Sequence, residues 1–471
     1  MSRSSCCEQA GGAFDLVVVG AGSAGFSAAI TAAERGARVA LIGHGTAGGT
    51  CVNVGCVPSK RLIRAVEALH GARTAARFAG VDAGGTLTDW RALVAQKDAL
   101  VGDLRQTKYL DVLARYPEVS YIEGAARLLP DGVLVDGTDV RADKIVLTTG
   151  ARPALPDIPG IDDVPVLTST SALELSELPA SMIVVGAGYI GCELAQLFQR
   201  AGVQVTLTAR RRVLPEAEPE ISEALAGYLR AEGIDVRAGV TYRSIARTAD
   251  GIELALGDGR TEAEAVLVAA GRRPNTENLG LDELGVSQDA RGAVPVDDHM
   301  RTNRPGVYAA GDVTGRDEFV YMAAHGAKIA ALNALDGDQR RYDRLAMPSV
   351  VFTDPQVASA GLTDADARAT GLEVRSSVLP LEHLPRALAA NDTRGLIKLV
   401  AEVGTDRLLG AHILAPEGCD SIQTAALAIR QGLTVAELGE MVFPYLTTVE
   451  GLKLAAQTFD RDVAALSCCA G

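Results

Sequence analysis

At 471 residues the chain is too long for one ordinary domain, and two to four are expected. A formal net charge of −14 disfavours a phosphate-backbone partner, so no nucleic acid is expected. No uninterrupted apolar run reaches the roughly 18–20 residues that span a bilayer, and the opening MSRSSCCEQAGGAF lacks the apolar centre of a secretory signal, so a cytoplasmic protein without membrane insertion is expected.

Residues 1–13 read as a flexible tail carrying Cys6 and Cys7. FDLVVVGAGSAGFSAAITAAERGARVALI (14–42) then reads as apolar strand, glycine turn, alanine-rich helix and second strand. That order opens a dinucleotide-binding fold. Gly20, Gly22 and Gly25 permit a tight turn, close approach of backbone to pyrophosphate, and helix–strand packing, while the helix N-terminus presents its partial positive charge to the phosphates. A carboxylate usually closes the second strand and takes the adenine ribose. Here ALIGHG places Gly43 at that point, leaving three alternatives: His44 takes the ribose, a backbone group does, or the contact is lost.

GGTCVNVGCVPSK (48–60) follows, ahead of a helical pattern. Bridging Cys51 and Cys56 would close a small loop around Gly55 and distort the first helical turn; such a disulfide is easily reduced, and its thiolates are stabilised by the helix dipole. Two buried structural cysteines are the plainer alternative. Gly49, Thr50 and Lys60 flank the pair as candidate cofactor contacts. KIVLTTGARP (144–153) and AVLVAAGRRP (265–274) are strands turning on Gly-x-Arg-Pro, with Gly150 a further candidate contact. SMIVVGAGYIGCELAQLFQRAGVQVTLT (181–208) repeats the βαβ order, with Gly186, Gly188 and Gly191 as its phosphate turn. Beyond it, QVTLTARRRV offers Arg210, Arg211 and Arg212 rather than a carboxylate; guanidinium groups suit a 2′-phosphate, against the alternative of a solvated basic loop. In GVYAAGDVT (306–314), Asp312 is an acceptor for a second sugar-like chain or a helix cap. From about residue 346 the texture changes to alternating strands with helical stretches near 420–432 and 447–460. Cys192 and Cys419 read as structural.

With two phosphate turns and the CVNVGC pair, the chain resembles the flavin-dependent pyridine nucleotide–disulfide oxidoreductases over nearly its whole length. The resemblance implies an α/β fold: two Rossmann-like dinucleotide-binding domains, for FAD and NADPH, plus an α+β C-terminal dimerisation domain. The FAD domain would comprise 14–150 and 278–345, the NADPH domain 151–277, and the dimerisation domain with its cysteine tail 346–471. It further implies that Cys56 touches the flavin, that Cys51 exchanges with substrate, and that Lys60 pairs with Glu193 of GYIGCE near the flavin ring.

Disulfide-reducing members carry a His five residues before a Glu near the C-terminus. In FPYLTTVEG, Tyr445 stands five before Glu450, and none of the six histidines falls there. Without an imidazole titrating near neutrality, a leaving thiol is poorly protonated. That substitution, with CVNVGCVPSK, VVFTDPQVA, VEGLKLAAQTF and the terminal LSCCAG, resembles the Hg(II)-reducing branch of the family. The form expected is the one without the GMTCxxC heavy-metal domain with which many members of the branch begin. The resemblance implies Tyr109 (in TKYL) and Tyr445 at the mercury site. Hg(II) is a soft cation that prefers thiolate. Cys468 and Cys469, adjacent and so bridged only with strain, would take it from small-molecule thiol complexes. They would pass it to Cys51 and Cys56 of the partner subunit, in a homodimer with shared active sites. The alternatives are a dithiol or disulfide reductase of the same family, acting on lipoamide or a low-molecular-weight thiol, and a thiol protein that sequesters heavy metal without turnover.

Overall fold

The computed structural model describes residues 14–462; Cys6, Cys7, Cys468 and Cys469 lie outside the described residues. The chain divides into two compact units, one drawn from residues through Ser59, Val94–Ala154 and Arg272–Asp343, the other from Lys60–Leu93, Leu155–Gly271 and the chain from Arg344 onward.

In the first unit the LVVV run forms the central strand, Leu16–Val19, of a five-stranded parallel sheet. Val39–Gly43 pairs on one side and Ile145–Leu147 on the other, with Val119–Glu123 and Val307–Ala309 at the edges. Parallel strands are covered on both faces, which is why their sequences are apolar without alternation. Val17 and Val19 pack toward a small antiparallel sheet (Ala126–Leu129, Gly132–Val135, Thr138–Arg141), while Leu16 and Val18 are buried on the opposite face. Helix Ser23–Ala33 packs along Val320–Asp336, and the alanines of both let the backbones come close. The two Gly-x-Arg-Pro turns meet as an antiparallel pair, Arg272–Pro274 against Ala151–Pro153.

The second unit repeats the plan. Ser181–Val185 lies between Gln204–Ala209 and Ala265–Val268, with Asp235–Ala238 and Val166–Thr168 at the edges. A three-stranded meander (Tyr242–Arg247, Ile252–Leu256, Gly259–Ala263) covers one face through Ile245 and Leu254 against Ile183 and Val185. From Pro348 the chain builds a five-stranded antiparallel sheet, Pro348–Val351, Gln356–Gly361, Leu408–Ala415, Leu396–Glu402 and Val374–Pro380 in spatial order. Helices Gly418–Gln431 and Glu450–Gln457 pack on it. Between them lies Val435–Glu440, a six-residue helix closed by a Thr434–Glu437 capping box and too short to show periodicity.

Three residues on successive turns fasten helix Tyr189–Ala201 to the segment after Pro348–Val351. Glu193 accepts the Phe352 N–H at 2.9 Å. Gln196 exchanges hydrogen bonds with the Asp354 backbone at 2.8 and 2.9 Å. Buried Arg200 donates to Asp354 at 2.8 Å and to Glu232 at 2.6 Å. This interlock fixes the helix that carries Glu193.

Candidate active site

The first phosphate turn is built by exclusion of side chains. Gly20 has φ +118, and a Cβ on it would lie 2.3 Å from the Thr148 carbonyl oxygen; one on Gly25 would lie 1.7 Å from the Gly20 oxygen. Gly22 heads helix Ser23–Ala33 without any side-chain cap, so the first-turn N–H groups are left for a ligand. The cysteine segment packs against this turn backbone to backbone. The Gly48 N–H donates to the Ala21 carbonyl at 2.8 Å, and a Cβ on Gly49 would fall 2.6 Å from Gly22 Cα. This cradle suits the pyrophosphate of a dinucleotide. Gly150, at φ +70, accepts the Asn275 N–H at 2.9 Å. Asp312 opens a one-turn helix after Gly311, with Arg272 Nε 3.4 Å from its carboxylate. Burial pushes the Asp312 pKa up, against the pull of Arg272.

Cys51 and Cys56 both sit in helix, where the sequence had placed them ahead of one. Gly49–Val54 is a short helix; Gly55, at φ −126 and ψ −111, breaks it; and Cys56 opens the helix Cys56–Arg73. Cys51 is half-buried and Cys56 exposed, and Thr50 is exposed beside them. Asn53 clamps the break, donating to the carbonyls of Ala47 and Gly49 at 2.9 and 2.8 Å and accepting from Arg105 at 3.2 Å. Tyr109 sits in a π-turn, Gln106–Leu110, a distortion that reaims one side chain and leaves no mark in the sequence. Its hydroxyl is 3.1 Å from Ser23 Oγ, and its ring meets Phe26 edge-on at 4.9 Å. Burial first, and then the charges of Cys51 and Cys56, hold the Tyr109 phenol above its ordinary pKa. Ser23, Phe26, Asn53 and Arg105 are site residues that sequence reasoning did not single out. Only Ser23, the first helical residue of the phosphate turn, had a motif to flag it.

In the second unit Lys60 Nζ is 2.6 Å from Glu193 Oε2 and lies over the Phe352 ring, 4.8 Å from its centroid. Glu193 is 6% exposed, so the pair is shielded on the carboxylate side. Gly186, at φ +109, and Gly191 repeat the exclusion seen at Gly20 and Gly25. A Cβ on Gly191 would lie 1.8 Å from the Gly186 oxygen, whereas one on Gly188 meets nothing within 4 Å. Gly188 heads helix Tyr189–Ala201 with no side-chain cap.

The three arginines after Gln204–Ala209 are all exposed but differ in role. Arg212 donates to the carbonyls of Pro215 and Ala217 at 2.9 and 2.6 Å, closing its own loop. Arg211 pairs with Glu216 at 2.6 Å, and Arg210 directly follows the strand end. Tyr445 is 54% exposed, on a loop with Met441, Val442 and Leu446 also exposed. Buried Glu450 turns onto that loop and accepts the Leu446 N–H at 3.1 Å.

Burial pushes the Cys419 thiol up to about 12 and the Cys192 thiol higher still, so neither supplies a thiolate at neutral pH. The described residues contain no group of three or more His, Cys, Asp or Glu that could hold a metal ion, and no helix among them is long and apolar enough to cross a membrane.

The family model of the pyridine nucleotide-disulphide oxidoreductases matches residues 14–330, and that of the family's dimerisation domain matches residues 347–456. The chain is 47% identical to a mercuric reductase of Streptomyces lividans, covering 98% of this chain and 100% of the relative. To a mercuric reductase of Acidithiobacillus ferrooxidans it is 46% identical, over 97% of this chain and 84% of the relative. Among solved structures it is similar to the Cu(II) complex of the HOCl-induced flavoprotein disulfide reductase RclA from Escherichia coli, with a TM-score of 0.85 at 30% identity, covering 95% of this chain and 99% of that chain. Its two glycine-built phosphate turns, its cysteine pair and these matches over nearly its full length show that the chain belongs to the pyridine nucleotide-disulphide oxidoreductase family, on the branch of the mercuric reductases.

Proposed function

We propose that the protein is an NADPH-dependent flavoenzyme that reduces Hg(II) to Hg(0) in mercury detoxification. The observation that carries the reading is the Tyr445 loop. A disulfide reductase needs an imidazole there, oriented by the acidic residue that follows. Here Glu450 is committed to the loop backbone, and the side chain presented is a phenol. A phenol with a pKa far above neutrality serves poorly as acid–base for a thiol. It remains a good neutral contact for a thiolate-bound metal.

In this reading Gly20, Gly22, Gly25, Gly49, Thr50, Gly150 and Asp312 hold FAD. Gly186, Gly188 and Gly191 hold the pyrophosphate of NADPH. Arg210, aided by Arg211, takes the 2′-phosphate, while Arg212 shapes the loop. When bound, FAD supplies the two-electron relay between nicotinamide and metal. Cys51 and Cys56 hold Hg(II) as paired thiolates, and Tyr109 closes over them. Cys468 and Cys469 collect Hg(II) from small-molecule thiol complexes, so every transfer swaps one thiolate for another. In balance, Hg(II) held by two thiolates and NADPH give Hg(0), NADP⁺, one proton and the two thiolates returned. Hg(0) leaves because it no longer binds thiolate strongly. The exposed apolar residues Met441, Val442 and Leu446 around Tyr445 fit a face covered by a second copy, in a homodimer that shares its active sites.

The test is NADPH oxidation by the purified flavoprotein with Hg(II) in excess low-molecular-weight thiol, beside the same assay with oxidised lipoamide or glutathione disulfide. Turnover with Hg(II) alone is expected. Turnover with the disulfides and none with Hg(II) would overturn the reading.

A further inference from the structure

Position 43 is where a dinucleotide fold places the carboxylate that binds the adenosine ribose, and here it is glycine. In the structure the space beside position 43 is already taken. A Cβ built on Gly43 would lie 2.4 Å from the Tyr121 hydroxyl oxygen, 2.9 Å from Tyr121 Cε2 and 2.9 Å from Ala21 Cβ in the phosphate turn. The Tyr121 hydroxyl thus occupies the space in which a side chain at 43 would begin.

Tyr121 and Glu123 belong to the edge strand Val119–Glu123, which runs parallel to Val39–Gly43 with Leu41 opposite Tyr121 and Gly43 opposite Glu123. Side chains alternate along a strand, so Tyr121, Glu123 and position 43 share one face of the sheet. Glu123 is the last residue of its strand and exposed, level with the missing carboxylate. The register is pinned just beyond it, where the Gly124 N–H donates to the Gly43 carbonyl at 2.8 Å.

We propose that Glu123, with the Tyr121 hydroxyl beside it, binds the adenosine ribose of FAD in place of the carboxylate missing at position 43. A strand neighbour thereby supplies what the second strand of the βαβ unit usually carries. The ribose hydroxyls donate to the Glu123 carboxylate, and the Tyr121 phenol, kept protonated by burial and then by the Glu123 charge, donates in turn. The inference rests on the reading that the first phosphate turn binds FAD.

Its test is flavin binding to apoprotein, followed by quenching of flavin fluorescence, with FAD, with FMN, which has no adenosine, and with FAD analogues lacking the 2′- or 3′-hydroxyl of that ribose. Glu123→Gln should weaken FAD binding by roughly tenfold or more, the range for a hydrogen bond to a charged group, and leave FMN binding unchanged. It should also erase the wild-type preference for FAD over at least one deoxy analogue, which a merely structural role would not do. Tyr121→Phe should give a smaller loss of the same kind. Equal FAD affinity in Glu123→Gln and wild type overturns the proposal, as does parallel weakening of FAD and FMN. Selective loss of FAD in His44→Ala with none in Glu123→Gln overturns it in favour of His44. Wild-type apoprotein that takes up no FAD would sink the cofactor reading together with the inference.

Discussion

Replacing Gly188 and Gly191 in turn by Ala separates cofactor access from fold integrity, because the two sit three residues apart in one turn and meet opposite surroundings. At Gly188 an added Cβ finds nothing within 4 Å, and the backbone, at φ −80 and ψ −168, is open to any residue. The structural cost is then the loss of a favourable helix-heading glycine, roughly 0.5–1 kcal/mol. In the proposed reading the methyl would instead project where the pyrophosphate of NADPH approaches the backbone. At Gly191 the Cβ would stand 1.8 Å from the Gly186 oxygen. An ordinary contact is about 3.4 Å, so the helix must retreat by roughly 1.5 Å from a close-packed sheet, and overpacking of that kind costs about 1–3 kcal/mol. At about 2–4 °C per kcal/mol for a domain of this size, Gly191→Ala should lower the melting temperature by roughly 2–12 °C. Gly188→Ala should shift it by only about 2 °C while raising KM for NADPH at least roughly tenfold, with FAD content unchanged. Thermal melts and steady-state kinetics on the same preparations decide it. Wild-type KM in Gly188→Ala would show that no pyrophosphate approaches that glycine, and wild-type melting in Gly191→Ala that the helix needs no close contact there.

Arg210→Ala should raise KM for NADPH far more than for NADH, whereas Arg212→Ala, which frees the carbonyls of Pro215 and Ala217, should disturb both cofactors alike; steady-state kinetics with each cofactor checks this. On partial reduction the holoenzyme should show a long-wavelength charge-transfer band that survives in Cys51→Ser and disappears in Cys56→Ser, and the reverse pattern in absorption spectra would exchange the roles given to the two cysteines. A subunit lacking Cys468 and Cys469, mixed with one carrying Cys51→Ala and Cys56→Ala, should form heterodimers that reduce thiol-bound Hg(II) although neither parent does; verified heterodimers without activity would show that the tail does not serve the partner subunit.

Both βαβ units were legible in the sequence because they combine two independent signals, β-branched apolar runs and glycines at fixed offsets. The first and third glycine of each turn answer a measurable crowding, at Gly20, Gly25, Gly186 and Gly191, whereas Gly188 meets none. The cysteine pair was legible as a motif but not in its local geometry. That both cysteines lie in helix depends on the Gly55 dihedrals and on the Asn53 clamp, neither of which has a periodic signature. The basic run after the second unit read as three equivalent arginines. Loop carbonyls and Glu216 divide them, and those contacts follow from a turn that composition does not specify. Gly43 could be recognised as an anomaly from sequence alone. What fills the space beside it could not, because Tyr121 lies on a different strand and only the sheet register brings it to that point.

In the proposed function, electrons from NADPH leave the protein as Hg(0) through Cys51 and Cys56. The most direct measurement is mercury vapour released per NADPH oxidised, with Hg(II) supplied in excess thiol, for the wild type and for Cys51→Ser. One Hg(0) for each NADPH over many turnovers per subunit is predicted for the wild type, and none for Cys51→Ser. NADPH consumption without vapour, release that stops at one equivalent per subunit, or undiminished release in Cys51→Ser would contradict the account.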